Sequence, residues 1–203
     1  MSKAKRVCLW CVCASIVVME SMAAGIQSSN GVLTFEAPTN VTGVEIKGKS
    51  TSLTALADVS ASGSQLLVRD IQVSVPVNSL ATGMKVRDEH MRRYIFRTNT
   101  GNEPDLRFAA GSAACSALAA REYQCAVEGT LEVRGTAKPA GFTVKVKAEG
   151  GSFHASFDAV IKLSAFGIER PSQFGVRPAD EVKVHVEFTA KGTVAQGSTV
   201  GLQ

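Results

Sequence analysis

The chain has 203 residues, 45% of them hydrophobic and 20% charged, which is enough for one sizeable core and short for two ordinary domains. Normal apolar content and only five cysteines exclude a disordered chain, a collagen-like repeat and a small disulfide scaffold. The net charge is +4, half of it from Lys3, Lys5 and Arg6 set against Glu20, so the remainder carries no nucleic-acid footprint.

Residues 1–23 open with those cations, continue in an apolar run of about 13 residues from Val7 to Met19, and close on Ser21-Met22-Ala23. This is the order of a secretory signal. The run is shorter than the roughly 20 residues a helix needs to cross a bilayer, so removal is favoured over anchoring. Cleavage after Ala23 leaves one domain over residues 24–203 and removes Cys8, Cys11, Cys13 and the only tryptophan, Trp10. No small residue precedes those cysteines as a lipoprotein signal requires.

Beyond the signal, apolar residues recur at every second position, the mark of half-buried strands. Weaker candidates come first: Val32 to Glu36, Gly43 to Gly48 and Leu53 to Val59. A clear strand then alternates through Ile71, Val73, Val75 and Val77. The one helical window is Val86 to Tyr94, in which Val86, His90 and Arg93 share a face. Leu106 to Ala110 is another weak strand candidate. Cys115 and Cys125 flank a plausible reversal at Ala119-Ala120-Arg121-Glu122. In an exported protein this favours a disulfide, with two buried free thiols as the competing state.

Four further strands alternate cleanly. They run through Val127, Gly129, Leu131 and Val133; through Phe142, Val144, Val146 and Ala148; through Phe153, Ala155, Phe157, Ala159, Ile161 and Leu163; and through Val182, Val184, Val186 and Phe188. Gly135 to Gly141 and Gly150-Gly151 are read as reversals. The Gly, Ser and Thr-rich end after Lys191 is expected to fray. About eight or nine antiparallel strands result, an all-β chain that periodicity alone allows as two stacked sheets or as a closed barrel.

The inward set contains no ionisable side chain, so its interior suits only an apolar guest, unless side chains simply fill it as in small barrels. Strand parity puts His154 and His185 on the outer face. His90 lies in Arg87-Asp88-Glu89-His90-Met91-Arg92-Arg93, whose consecutive residues diverge around a helix and make a poor metal site. There is no Gly-x-Ser-x-Gly elbow, no convincing carboxylate pair and no phosphate-binding glycine loop. No catalytic residue, metal ligand or cofactor is therefore assigned.

The stretch Val77-Asn78-Ser79-Leu80-Ala81-Thr82-Gly83, followed by Arg87-Asp88-Glu89-His90-Met91, resembles the YceI-like family, whose hallmark is a strand, a Ser-Leu-x-Thr-Gly turn and an Arg-Asp-x-His-Met segment. Three downstream segments match in order: Pro104-Asp105-Leu106-Arg107-Phe108, the hairpin from Glu128 to Pro139, and the closing stretch from Ser164-Ala165-Phe166-Gly167-Ile168 to Val182. The resemblance covers about residues 65 to 190. The chain departs from the family at Gly31 to Lys49, which lacks an aromatic start and a His-Ser pair, and at Ser164-Ala165, where an Asn-x-x-Asp stretch is common.

The resemblance implies an extended lipocalin-like antiparallel β-barrel of about eight strands with one short helix, usually periplasmic, holding a polyisoprenoid chain or an isoprenoid quinone. On that reading the tail lies between Phe142, Val144, Phe153, Phe157, Ile161 and Phe188. Val75, Met91, Phe108, Leu131 and Phe166 complete the ligand contacts, and the head lies near Arg87, His90 and Arg92. The expected partner is the lipid or quinone, without nucleic acid; transient membrane contact and a homodimer stay open. The competing function is a ligand-free interaction or stress-response module with a packed core.

Overall fold

The computed structural model describes residues 24–62, 65–172 and 175–191. The signal reading of residues 1–23 and the tail after Lys191 lie outside them. Among the described residues there are eight strands: β1 (Ala24–Pro38), β2 (Glu45–Ser62), β3 (Gln65–Val75), β4 (Leu106–Ala119), β5 (Glu122–Val133), β6 (Thr136–Glu149), β7 (Ser152–Lys162) and β8 (Glu181–Lys191). Each pairs antiparallel with the next, and β8 returns to β1, closing a barrel. Barrel rather than sandwich is thereby decided, and no strand is left at the edge of an open sheet.

The strands are longer than the alternation suggests. The candidates at Gly43 to Gly48 and Leu53 to Val59 are one strand, β2. The polar stretch between them, which reads like a turn, keeps its extended form because Ser50 is buried and finds a partner inside. Its hydroxyl lies 2.7 Å from that of Ser79, which donates to the Pro76 carbonyl at 2.6 Å.

Bulges hide further strand from a strict period of two; the β1–β2 ladder shifts register between Ser28 and Gly31 and between Gly31 and Leu33, and β3 and β4 each carry one. In β3, Asp70 takes φ 50° and adds a residue opposite β2, as the register shift between Leu56 and Asp58 records. Leu66 and Val68 thus share the inner side with Ile71, Val73 and Val75. A similar shift between Ala109 and Ala113 in β4 brings Ala113 and Cys115 to the side occupied by Phe108 and Ala110.

The reversal expected over Gly135 to Gly141 is shorter than read. Arg134 and Gly135, with φ 54° and 74°, make a two-residue hairpin turn, and residues 136–141 already belong to β6. Pro139 is tolerated there because β6 pairs with β7 only from Lys145 to Glu149. Opposite β7, the missing N–H of Pro139 interrupts no ladder.

The two ends of the barrel differ. One carries short hairpins, including Ala120-Arg121 and Gly150-Gly151. The other carries two long connectors. Residues 76–105 contain a 3-10 turn (Val77–Ser79), α1 (Lys85–Met91) and a π-helical turn (Arg92–Phe96). Residues 163–180 contain a second 3-10 turn (Leu163–Phe166). The helical segment outlasts the expected Val86 to Tyr94 because its last residue, Phe96, is buried in the core.

The core forms two clusters. One, toward the connectors, gathers Leu53, Val75, Val77, Leu80, Phe96 and Phe166. The other, toward the hairpins, gathers Val59, Leu66, Phe108, Tyr123, Cys125 and Phe153. Val73 and Leu131 pack against both.

Cys115 and Cys125 sit directly opposite on β4 and β5 and are joined by a disulfide, with Cα atoms 3.9 Å apart. Closing so short a loop contributes up to about 3 kcal/mol by chain entropy. Reducing the disulfide should lower the free energy of unfolding in denaturant by no more than this, and the far-ultraviolet spectrum of the barrel should persist.

Candidate functional site: an apolar cavity with a polar mouth

Side chains do not fill the barrel. A cavity of about 760 Å³ runs through it, within the size range of small-molecule sites. Its wall is built by the alternation that makes the strands, since every second residue points inward. Of the residues expected to touch a ligand, Val75, Phe108, Leu131, Phe142, Val144, Phe153, Phe157, Ile161 and Phe188 line it from the barrel, and Arg87, His90 and Met91 line it from α1.

Two expected residues lie elsewhere. Phe166 is buried in the connector-side core cluster rather than in the cavity wall, because the 3-10 turn carrying it folds onto that end. Arg92 does not line the cavity. It falls one step past the face formed by Arg87, His90 and Met91, which are spaced i, i+3 and i+4.

The same rotation corrects the expected helical face. Val86 is 60% exposed and Arg93 is exposed, while His90 turns inward. The apolar pull of Met91, Ile95 and Phe96, all packed in or against the core, sets the helix orientation.

Along the wall, Phe108, Phe142 and Phe157 form a chain of rings. The centroid distances are 5.0 Å between Phe108 and Phe142, edge-on, and 4.9 Å between Phe142 and Phe157, tilted. Both lie in the favourable range for aromatic pairs. Gly129 makes room for the first ring: a Cβ there would stand 2.8 Å from Phe108 Cζ and would collide with the Ala109 carbonyl oxygen. Phe142 and Phe157 come together where β6 and β7 have parted, so aromatic packing takes over from the missing ladder.

Polarity in the cavity is confined to one end. The ionisable side chains among its described lining residues are Glu45, Arg87, His90, Tyr94 and Arg107. Glu45 opens β2, Arg107 stands at the start of β4, and the other three lie on the helical connector. All belong to the connector end. Tyr94 and Val44 also line the cavity there while remaining exposed, as Leu56 does midway along β2; the gathering of the polar lining groups at the connector end makes that end the mouth.

Arg87 is held in place. It donates from Nε to Thr82 Oγ1 and from Nη2 to the Thr82 carbonyl, both at 2.8 Å, while Asp88 accepts from the Thr82 N–H and hydroxyl. The guanidinium carries five N–H donors in all, so donors beyond these two can serve a polar guest. The His90 and Tyr94 rings meet edge-on with centroids 5.7 Å apart. Across the mouth, Asp180 fastens the second connector by accepting from the N–H and hydroxyl of Ser164 at 2.8 and 2.6 Å. Those two bonds hold its carboxyl below the usual carboxylate range.

His154 and His185 lie on the outer face, paired with Thr189 and Asp158 at 2.9 and 2.8 Å. The sequence reading missed the wall contributed by β1 and β2, including Ile26, Phe35, Leu53 and Val59, and the mouth residues Glu45, Tyr94 and Arg107. Leu53 and Val59 were visible as alternation. The mouth residues carried no signal, because each gains meaning only from its place at the barrel end.

Comparison with known proteins agrees with this architecture. The family model of the YceI-like domain matches residues 25–190. A polyisoprenoid binding domain from Saccharophagus degradans superposes with a TM-score of 0.63 at 16% identity, covering 84% of this chain and 99% of that one. Burkholderia cenocepacia BcnA gives 0.61 at 20% identity over 79% and 96%. A Campylobacter jejuni YceI protein gives 0.58 at 17% over 75% and 88%. Among curated proteins none matches.

Proposed function

Because the chain belongs to the YceI-like family, we propose that it is an exported protein that holds an isoprenoid lipid, a polyprenyl chain or an isoprenoid quinone, inside the barrel. The observation that carries this reading is the cavity itself: about 760 Å³, aromatic and aliphatic in its depth, with every ionisable lining group at the mouth. An amphiphile with a long apolar tail and a small polar head has that distribution. The shared fold with a polyisoprenoid binding domain supports the ligand class.

Each methylene of the tail taken from water contributes about 0.8 kcal/mol, so a few isoprene units outweigh an exposed ion pair at about 0–1 kcal/mol. Affinity then comes from the tail, and Arg87 and His90 orient the head. Carriage, storage or sequestration of the lipid in the periplasm follows from export. The signal over residues 1–23 supports export, and amino-terminal sequencing of the protein recovered from the exporting cell should begin at Ala24. A retained Met1 in the membrane fraction would contradict it.

The direct test is solvent extraction of that protein followed by mass spectrometry, with calorimetric titration of the stripped, folded protein against a polyprenyl chain and a long-tailed quinone. Saturable binding of either supports the carrier. With no saturable binding of either, the carrier reading fails and the ligand-free module takes its place.

A further inference from the structure

We propose that the connector end of the barrel is a docking face for an anionic lipid bilayer, through which the cavity is loaded and emptied. This deepens the carrier reading and rests on it. Large apolar side chains left in water are concentrated at this end. Of the nine that are exposed among the described residues, five stand there: Val41 and Val44 on the β1–β2 turn, Met84 and Val86 at the start of the helical segment, and Tyr94 on its π-helical turn. Met84 and Val86 are 57% and 60% exposed, so two neighbouring positions on a short helical segment give their apolar surface to solvent. Single exposed apolar residues are ordinary on a protein surface; what sets these apart is that five of nine share the end that carries the mouth.

Charge indicates which surface. Between Met84 and Tyr94, Arg87 and Asp88 are both engaged by Thr82, which leaves Lys85, Arg92 and Arg93 against Glu89. Apolar anchors interleaved with cations, and a tyrosine at the boundary, are the composition of segments that lie in a bilayer interface and favour anionic headgroups. The face is also continuous with the mouth, since Val44 and Tyr94 belong to both. A tail that leaves the bilayer through a mouth pressed against it need not cross water, where its apolar surface would be unfavourably exposed along its whole length.

The test uses the protein recovered from the exporting cell and co-sedimentation with phosphatidylcholine vesicles, with and without phosphatidylglycerol. Wild type should bind the anionic vesicles more strongly, and salt should weaken that binding. A Val41→Glu, Met84→Glu, Val86→Glu variant changes only exposed residues outside the cavity wall. It should lose vesicle binding by about tenfold or more, yet bind a polyprenyl chain in detergent micelles as wild type does. Lys85→Glu with Arg93→Glu should abolish the preference for phosphatidylglycerol. The proposal is overturned if wild type binds neither vesicle, or if the triple variant binds like wild type. It is equally overturned if the triple variant only converts a dimer to a monomer in analytical ultracentrifugation, which would show that a second copy covers this face. If wild type docks on vesicles but binds no chain in detergent, the docking face stands and the carrier reading fails.

Discussion

Phe157→Asp should eliminate binding of a polyprenyl chain, and it should do so from the middle of the cavity wall. Phe157 lines the cavity and packs its ring 4.9 Å from Phe142. The ionisable lining groups all lie at the mouth, so an aspartate here has no cation beside it in the wall. Burying an unpaired carboxylate costs several kcal/mol, and the group takes up a proton instead when it can. The substitution also removes the aromatic contact that joins β6 and β7 beyond the end of their ladder. Phe157 is only partly buried, so denaturant unfolding should show a loss below the roughly 3–5 kcal/mol of truncating a fully buried phenylalanine. Phe157→Leu, which keeps apolar volume, should remain folded and bind with modestly reduced affinity. Equal calorimetric affinity for the Phe157→Asp variant and the wild-type protein would place the tail elsewhere.

Filling the cavity should separate binding from folding. Val144 lines the wall and is only partly buried, so Val144→Trp can direct its ring into open space rather than into packed neighbours. Overpacking, which costs about 1–3 kcal/mol in a dense core, should be small here, and the ligand-free protein should unfold at nearly the same denaturant concentration. Binding should suffer because the indole occupies volume the tail needs. Displacing three methylenes at about 0.8 kcal/mol each lowers affinity by more than tenfold. Calorimetric titration with a long polyprenyl chain checks this. Unchanged affinity in a folded Val144→Trp protein would mean that the tail does not reach β6.

The second half of the barrel was legible in the sequence because β5 to β8 keep an unbroken period of two. Phe142, Val144, Val146 and Ala148 alternate with Thr143, Lys145, Lys147 and Glu149. One apolar and one polar face are enough to assign a strand and its inward side. The first half was less legible for local reasons. In β2, β3 and β4 an inserted residue reverses the parity, in β2 between Ser50 and Leu53, where polar residues also interrupt the apolar pattern. A single extra residue moves every later side chain to the opposite face in a strict reading, so Leu66 and Val68 appeared unrelated to Ile71 and Val73.

The sequence by itself determined that this protein is all-β, which residues of β5 to β8 face inward, that those residues carry no charge, and that Cys115 and Cys125 could meet across a hairpin. These are properties of neighbours along the chain, governed by the alternation of side chains about an extended backbone. The motif around Ser79 to Met91 pointed to the family on its own. Only the tertiary structure decided that β8 closes on β1, that an unfilled cavity remains inside, and that Arg87, His90 and Met91 face it while Arg92 and Phe166 do not. Closure depends on hydrogen bonds between strands more than a hundred residues apart, such as Phe35 opposite Val184. Cavity volume depends on how side chains from all eight strands meet. The inward face of α1 depends on where Met91, Ile95 and Phe96 find a core to join. Each is a relation between distant segments, and no window of sequence contains both partners.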